Sequence, residues 1–126
     1  MGYIAFVLDE QSRSEVLSKL NPTHAIVLAH HITLSYDMER SVGLEVADSF
    51  ATLIDTVEIV ALIELPDTDM AVVAINDITV RDCDGFFHIL LSTDNKRKEK
   101  VQSLGDYPYK KVTPIPLAGS VQYFDR

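Results

Sequence analysis

Apolar residues occur in short runs along this chain, and the length and composition of these runs predict β-strands. The first, GYIAFVL at residues 2–8, is rich in aliphatic and aromatic side chains and ends at an acidic pair. Five further runs of this kind lie at 24–36, 56–65, 70–76, 86–93 and 117–124. The run at 24–36 is long enough for two strands, and the turn residues at 66–69 predict a β-hairpin.

Three segments between the strands predict helices. They are residues 9–22, 44–54 and 95–104. In the first segment, Asp9 is a suitable N-cap and Asn21-Pro22 a suitable end. The second fits a helix or a strand, and we favour a helix. Strands in the majority, few helices and mostly antiparallel pairing indicate an α+β fold.

Length and composition predict a single folded domain over residues 1–126. The chain is 47% apolar and 24% charged, which is typical of a globular protein and not of a disordered one. No stretch approaches the roughly 20 apolar residues of a membrane-spanning helix, and a signal peptide is not predicted. Cys83 is the only cysteine, which excludes an internal disulfide and fits a reducing cytoplasm. We therefore expect a cytoplasmic protein without a membrane partner.

The charge is acidic overall and unevenly distributed. A net charge of −8 argues against binding to long duplex nucleic acid, which needs an electropositive surface. Residues 1–95 hold 16 acidic and four basic residues, whereas residues 96–111 carry a net charge of +4. An anionic ligand would therefore meet this basic segment, which includes Lys96 and Lys98. A solvated charged loop has the same composition.

Polar side chains alternate with apolar ones in HHITLSYD, residues 30–37. On a strand, His31, Thr33 and Ser35 share one face and the intervening apolar residues share the other. This alternation suits a strand with one wall on a core and one wall on a polar groove. A half-exposed edge strand has the same pattern.

The motif HITLS at 31–35 has a counterpart 57 residues later, HILLS at 88–92, and both lie on predicted strands. Such a repeat is consistent with two similar lobes that face each other with one histidine each. An imidazole serves as base or acid near neutral pH. Across a groove, His31 and His88 would activate water and protonate a leaving oxygen without a metal. The Thr33 hydroxyl would donate to a phosphate oxygen as negative charge builds there.

In these motifs the chain resembles the 2H phosphoesterases, which carry two H-x-T-hydrophobic motifs on two pseudo-symmetric lobes. HITL matches the first motif, and the order of MAVVAIN, FFHILLST, a basic stretch and PLAGSVQYF is similar to the branch related to tRNA-ligase cyclic phosphodiesterases. The resemblance implies lobes of mostly antiparallel sheet with flanking helices around a central groove. It also implies cofactor-free hydrolysis of a cyclic or 2′-5′/3′-5′ phosphodiester, with His31 and His88 as the acid–base pair and Thr33 on the phosphate.

The second motif departs from this pattern, because Leu90 stands where the family has its second threonine. Leucine donates no hydrogen bond, and losing a donor to a developing charge costs about 2.7–4 kcal/mol in the barrier. Ser92, Lys96 and Lys98 are candidates to replace it. The departure leaves two alternatives open: a weakly active or inactive module that binds a nucleotide or RNA, and a purely structural domain of the same fold.

The expected ligand is a small nucleotide, a cyclic oligonucleotide or an RNA end. Tyr3 and Tyr36 are candidates to stack on its base, with ordinary core or rim packing as the alternative. A metal site from His30, His31 and Asp37 is disfavoured, because adjacent strand residues point to opposite faces. For the same reason we expect His30 on the face away from His31. His24, in a predicted loop, has no assigned role.

Overall fold

The structure is a computed structural model that describes residues 2–81, 85–94 and 108–125. In these ranges the elements are β1 (Gly2–Leu8), α1 (Glu10–Leu20), β2 (Ile26–Val27), β3 (His31–Met38), α2 (Arg40–Leu53), β4 (Val57–Glu64), β5 (Thr68–Ile75), β6 (His88–Thr93), β7 (Lys110–Pro116) and β8 (Gly119–Phe124). The pairs between these strands are antiparallel, so the predicted α+β class is confirmed. The predicted helix at 95–104 and Cys83 lie outside the described residues.

All eight of these strands belong to one sheet, in the order β7-β4-β5-β6-β3-β1-β8, with β2 paired to β6. The predicted hairpin is confirmed as β4 and β5, which pair from Val57↔Ile75 to Glu64↔Asp69. The run at 24–36 forms two strands, β2 and β3. The other predicted strands are present as β1, β6 and β8.

One residue pair joins β3 to β6. Ile32 of β3 and Ile89 of β6 are direct partners, and these two strands share no other partners within the described ranges. On one side of this pair β2 continues along β6, while β3 pairs with β1 on its other edge. We call this junction the β3–β6 seam. It separates β3-β1-β8 from β7-β4-β5-β6.

Two apolar clusters occupy opposite faces of the sheet. The larger contains residues from both sides of the seam together with residues of both helices, among them Ile4, Phe6, Val16, Ile32, Ala47, Ile59, Ile89 and Leu91. The smaller consists of Ala61, Ile63, Met70, Val72 and Phe86. Successive residues of β5 alternate between the clusters, since Ala71 and Val73 belong to the larger one, and alternation along a strand means opposite faces.

Both described helices overlap segments that the sequence predicts to be helical. The Asp9 carboxylate caps α1 by accepting from the Ser12 amide at 2.8 Å, and Asn21 ends it with a left-handed φ of 47°, as the sequence predicts. The helical interpretation of 44–54 is confirmed by α2, which starts earlier, at Arg40. Neither helix is long and apolar enough to cross a membrane.

The strand β7 is not predicted by the sequence patterns. It starts with two lysines and contains Pro114 and Pro116, which disfavour a strand in the middle of a sheet. Among the described strands, β7 is at the edge of the sheet and pairs only with β4. Its one buried residue is Ile115, opposite Ile59, and together with the half-buried Val112 it attaches this mostly exposed strand to the larger core.

Close packing of α2 on β8 yields a test of the fold. A Cβ added to Gly43 would overlap the ring of Tyr123, which is held by a 2.8 Å hydrogen bond from its hydroxyl to the Met38 carbonyl. Gly43→Ala is therefore expected to lower the free energy of unfolding by about 1–3 kcal/mol. Helix propensity alone would raise it.

Urea unfolding measures the change. The control is Ser49→Ala, on the exposed side of the same helix, which should raise the free energy of unfolding by up to about 0.5 kcal/mol. Stabilisation by both substitutions would contradict the packing of Tyr123 on α2.

Candidate functional site

The β3–β6 seam determines which motif residues share a face. Ile32 and Ile89 are direct partners with 0% exposure, and both belong to the larger core. Their neighbours along the strands, His31, Thr33 and His88, therefore point to the opposite face of the sheet. All three are half-buried. The expectation that they share a face agrees with this register.

The register also indicates their spacing. In a regular antiparallel pair that continued by one residue from Ile32–Ile89, Thr33 would lie opposite His88 and His31 would be its diagonal neighbour, although the described parts of the two strands form no further pair. Diagonal neighbours in an antiparallel pair lie about 7–8 Å apart along the backbone. This spacing allows two imidazoles to contact one anion from two sides.

His88 is held by the residue two positions before it. Its Nδ1 lies 2.8 Å from the Phe86 carbonyl oxygen, and the two rings are 5.1 Å apart between centroids. A carbonyl only accepts hydrogen bonds, so Nδ1 carries the hydrogen. The neutral His88 ring then has its lone pair on Nε2, which is the form a general base requires.

Aromatic rings surround His31. Tyr3 and Phe124, partners across β1 and β8, stack with centroids 5.2 Å apart and an angle of 19°. Their centroids lie 5.9 and 6.4 Å from that of His31. Tyr3, a predicted base-stacking residue, is thus next to the first histidine. The side chain of Tyr36, the other predicted one, lies outside the described part of the structure.

His30 does not point away from His31 as expected. The two Nδ1 atoms are 3.0 Å apart, with the rings at 81° to each other. The cause is a backbone irregularity before β3. The Ala29 amide donates to the Leu90 carbonyl, whereas Ile32, three residues after Ala29, pairs with Ile89, which is adjacent to Leu90 in β6. Ala29 has a left-handed φ of 50°. Strand alternation therefore does not hold at His30.

Leu90 is half-buried and lies opposite Met70 in the β5–β6 pair. Met70 is 2% exposed and belongs to the smaller apolar cluster. The second motif thus places an aliphatic side chain beside an apolar neighbour, where the family pattern has a hydroxyl.

Ser92, a predicted phosphate contact, is fully buried at 0% exposure. Its hydroxyl donates to the Asp69 carboxylate at 3.1 Å and accepts from the His24 amide at 3.3 Å. The β5–β6 pair has a register shift between Asp69 and Met70. The Ser92 side chain therefore does not continue the alternation that places His88 and Leu90 on one face. In this structure the Ser92 hydroxyl forms hydrogen bonds inside the protein and is not accessible to a ligand. Lys96 and Lys98, the other predicted replacements for a donor, lie outside the described ranges.

Asp69 is the centre of a buried polar network that sequence reasoning missed. One carboxylate oxygen accepts from the Thr23 amide at 2.9 Å, the Thr23 hydroxyl at 2.7 Å and the Ser92 hydroxyl at 3.1 Å. Burial raises the pKa of Asp69, but the hydrogen bonds from Thr23 and Ser92 and the nearby His24 outweigh it, so the pKa is lowered. A single aspartate inside the otherwise apolar β5 is the signal that could have revealed the network.

His24 connects this network to the surface. Its Nδ1 lies 3.1 Å from the Asp94 carboxylate, and its Nε2 lies 3.2 Å from the Leu65 carbonyl and 3.5 Å from Asp69. Burial lowers the pKa of His24, but the Asp94 hydrogen bond and the charges of Asp69 and Asp94 raise it overall. Both ring nitrogens face acceptors, which favours the doubly protonated imidazolium.

Within the described residues, no group of three or more His, Cys, Asp or Glu side chains is arranged to hold a metal ion. No protein-family model, no curated protein and no solved structure matches the chain.

The raised pKa of His24 predicts a pH-dependent stability. A group whose pKa is higher in the folded state stabilises the fold fully below its ordinary pKa, about 6.5, and this stabilisation is lost as pH rises through the folded value. The free energy of unfolding is therefore expected to fall above about pH 6.5. In His24→Gln this decline should be smaller, because glutamine does not titrate.

Urea unfolding of both proteins at several pH values between 5 and 8.5, spanning about two pH units on either side of an ordinary histidine pKa, measures the difference. Using the difference between the two proteins cancels the titration of the other histidines. Parallel curves would contradict an ionic role for His24.

Proposed function

We propose that this protein is a metal-independent phosphodiesterase that hydrolyses a cyclic or 2′-5′/3′-5′ phosphodiester of a small nucleotide, an oligonucleotide or an RNA end. His31 and His88 are its acid–base pair, and Thr33 binds the phosphate. The observation that carries the proposal is the β3–β6 seam: the burial of Ile32 and Ile89 turns all three side chains to one face.

The proposal includes two lobes related by pseudo-symmetry, as in the 2H phosphoesterases that the motifs resemble. Its support is the division of the sheet at the seam into β3-β1-β8 and β7-β4-β5-β6. Each group contributes its border strand, β3 or β6, and each border strand carries one of the two histidine motifs. The seam would then be the floor of the groove.

The hydrogen bond from His88 to the Phe86 carbonyl favours His88 as the base. Its Nε2 takes a proton from water as the water oxygen attacks phosphorus. The bond from phosphorus to the ribose oxygen breaks, and that oxygen takes a proton from the His31 imidazolium. A linear phosphodiester gives a phosphate monoester and a separate molecule with a free hydroxyl. A cyclic phosphate opens to one molecule that carries both groups. Thr33, on the same face as His31 and His88, donates to the phosphate oxygen that gains charge.

Two further contacts belong to the proposal. The stacked rings of Tyr3 and Phe124 lie beside His31 and would support a nucleobase on the acid side of the site. Lys96 and Lys98, in the basic segment of an acidic chain, would attract the anionic substrate. The expected cellular location of such an enzyme is the cytoplasm.

A nucleotide- or RNA-binding module without turnover is the second candidate. Leu90 favours it, because leucine takes the position of the second donor and packs opposite Met70. Binding needs shape and charge complementarity at the groove but not a donor that strengthens in the transition state.

The decisive experiment incubates the protein in EDTA with a panel of 2′,3′-cyclic nucleotides, 2′-5′ and 3′-5′ dinucleotides and cyclic oligonucleotides. Against a substrate that is cleaved, His31→Ala and His88→Ala should each lower kcat at least a hundredfold, because general acid–base catalysis contributes about 10²–10⁴-fold per group. Circular dichroism and urea unfolding check that both variants fold. Turnover that persists in both folded variants would exclude the paired-histidine mechanism.

Leu90 is tested by a pair of substitutions of nearly equal shape. Leu90→Thr introduces a hydroxyl next to His88, and Leu90→Val makes the same change of volume without one. If the missing donor limits catalysis, kcat of the threonine variant should exceed that of the valine variant by about a hundredfold. If Leu90 instead packs against a bound base or sugar, both substitutions should weaken ligand binding equally. That outcome, with no turnover in the wild-type protein, would support the binding module.

A further inference from the structure

His30 forms a pair with His31 that the proposed chemistry does not yet use. The two Nδ1 atoms are 3.0 Å apart, which is hydrogen-bond distance, so one nitrogen carries a hydrogen and the other accepts it. The tautomer of one ring therefore fixes that of the other.

The backbone holds His30 in place for this contact. Its carbonyl accepts from the Leu8 amide at 3.0 Å, which ties the residue to the end of β1. On its other side the Ala29 amide donates to the Leu90 carbonyl at 2.9 Å, which ties that residue to β6. His30 is exposed, but its main chain is fixed between the two strands that border β3.

We infer that His30 is a positioning residue that holds the His31 imidazolium through its Nδ1 hydrogen, so that the proton given to the leaving oxygen comes from Nε2. This inference rests on the proposed function. In the imidazolium both nitrogens of His31 carry hydrogens, and the Nδ1 hydrogen is donated to the neutral Nδ1 of His30. Such a charge-assisted bond stabilises the cation. After the acid step, His31 keeps the Nδ1 hydrogen, so the transferred proton leaves from Nε2 alone.

The other groups near His31 affect its protonation as well. Among the described rings that face it, the titratable ones are His30 and the phenol of Tyr3 on β1, while Phe124 on β8 is neutral. His88 lies across the seam on the same face. The Nδ1–Nδ1 bond needs one donor and one acceptor, so His30 has its positioning effect when its Nδ1 carries no hydrogen.

Two substitutions separate the contact from its titration. His30→Ala removes the acceptor, whereas His30→Asn keeps an amide near the position of Nδ1 that accepts but does not titrate. In His30→Ala we expect kcat to fall about tenfold, the alkaline limb of the pH–rate profile to move about one pH unit lower, and KM to change little, because one hydrogen bond to a charged group is lost. In His30→Asn most of kcat and the position of the alkaline limb should return.

Nitrogen-15 NMR of the histidine rings gives a readout that does not depend on turnover. In the wild-type protein, one Nδ1 of the His30–His31 pair should carry a hydrogen and the other should not, and the titration of His31 should move when His30 is replaced by alanine. Identical His31 nitrogen shifts and titration in wild type and His30→Ala would overturn the inference. So would an unchanged kcat and alkaline limb in His30→Ala when His31→Ala abolishes turnover.

These outcomes also distinguish the inference from the proposed function. If the wild-type protein cleaves nothing in the panel, the proposed function and the positioning role of His30 both fail, even where NMR finds the Nδ1–Nδ1 hydrogen bond. If the wild-type protein is active and only the His30 variants behave as wild type, the proposed function stands and the inference alone fails.

Discussion

The arrangement of this protein depends on the contact between Ile32 and Ile89. These two side chains are fully buried in the larger core, and they belong to the only residue pair that joins β3 and β6 among the described residues. Hydrophobic burial of about 1.5–3 kcal/mol per side chain fixes the register here, since a slip by one residue would expose both isoleucines. The same register turns His31, Thr33 and His88 together to the other face of the sheet. The register that buries the two isoleucines thus also determines which motif residues share the opposite face.

A second constraint acts at the other end of β6. The buried carboxylate of Asp69 needs donors, and it finds them in Thr23 and Ser92, which brings the segment before β2 onto the sheet. Leaving any such group unsatisfied would cost about 1–3 kcal/mol or more for a charge. The His24 ring lies next to this carboxylate and reaches Asp94 at the surface. This network attaches the segment just before β2 to the sheet, and β2 pairs with β6 beyond the seam.

Regular elements could be predicted from the sequence because their signals are local. Caps such as Asp9, the turn at 66–69 and the alternation in 31–35 need no knowledge of distant residues. The irregular positions could not be predicted, because they arise between strands far apart in the chain. The approach of His30 to His31 follows from the backbone at Ala29, and the burial of Ser92 follows from the register shift beside Asp69. In both cases a bulge overrides the alternation on which the prediction relied.

The edge strand β7 has a consequence for the protein in concentrated solution. A free sheet edge offers a row of unpaired amides to the edge of another molecule, which is a common start of aggregation. Pro114 and Pro116 have no amide hydrogen, and Lys110 and Lys111 are exposed at the start of the strand. A second copy that approached along β7 would find interrupted donors and like charges. The lysines and prolines that prevent the sequence patterns from predicting β7 also disfavour the pairing of a further strand with it.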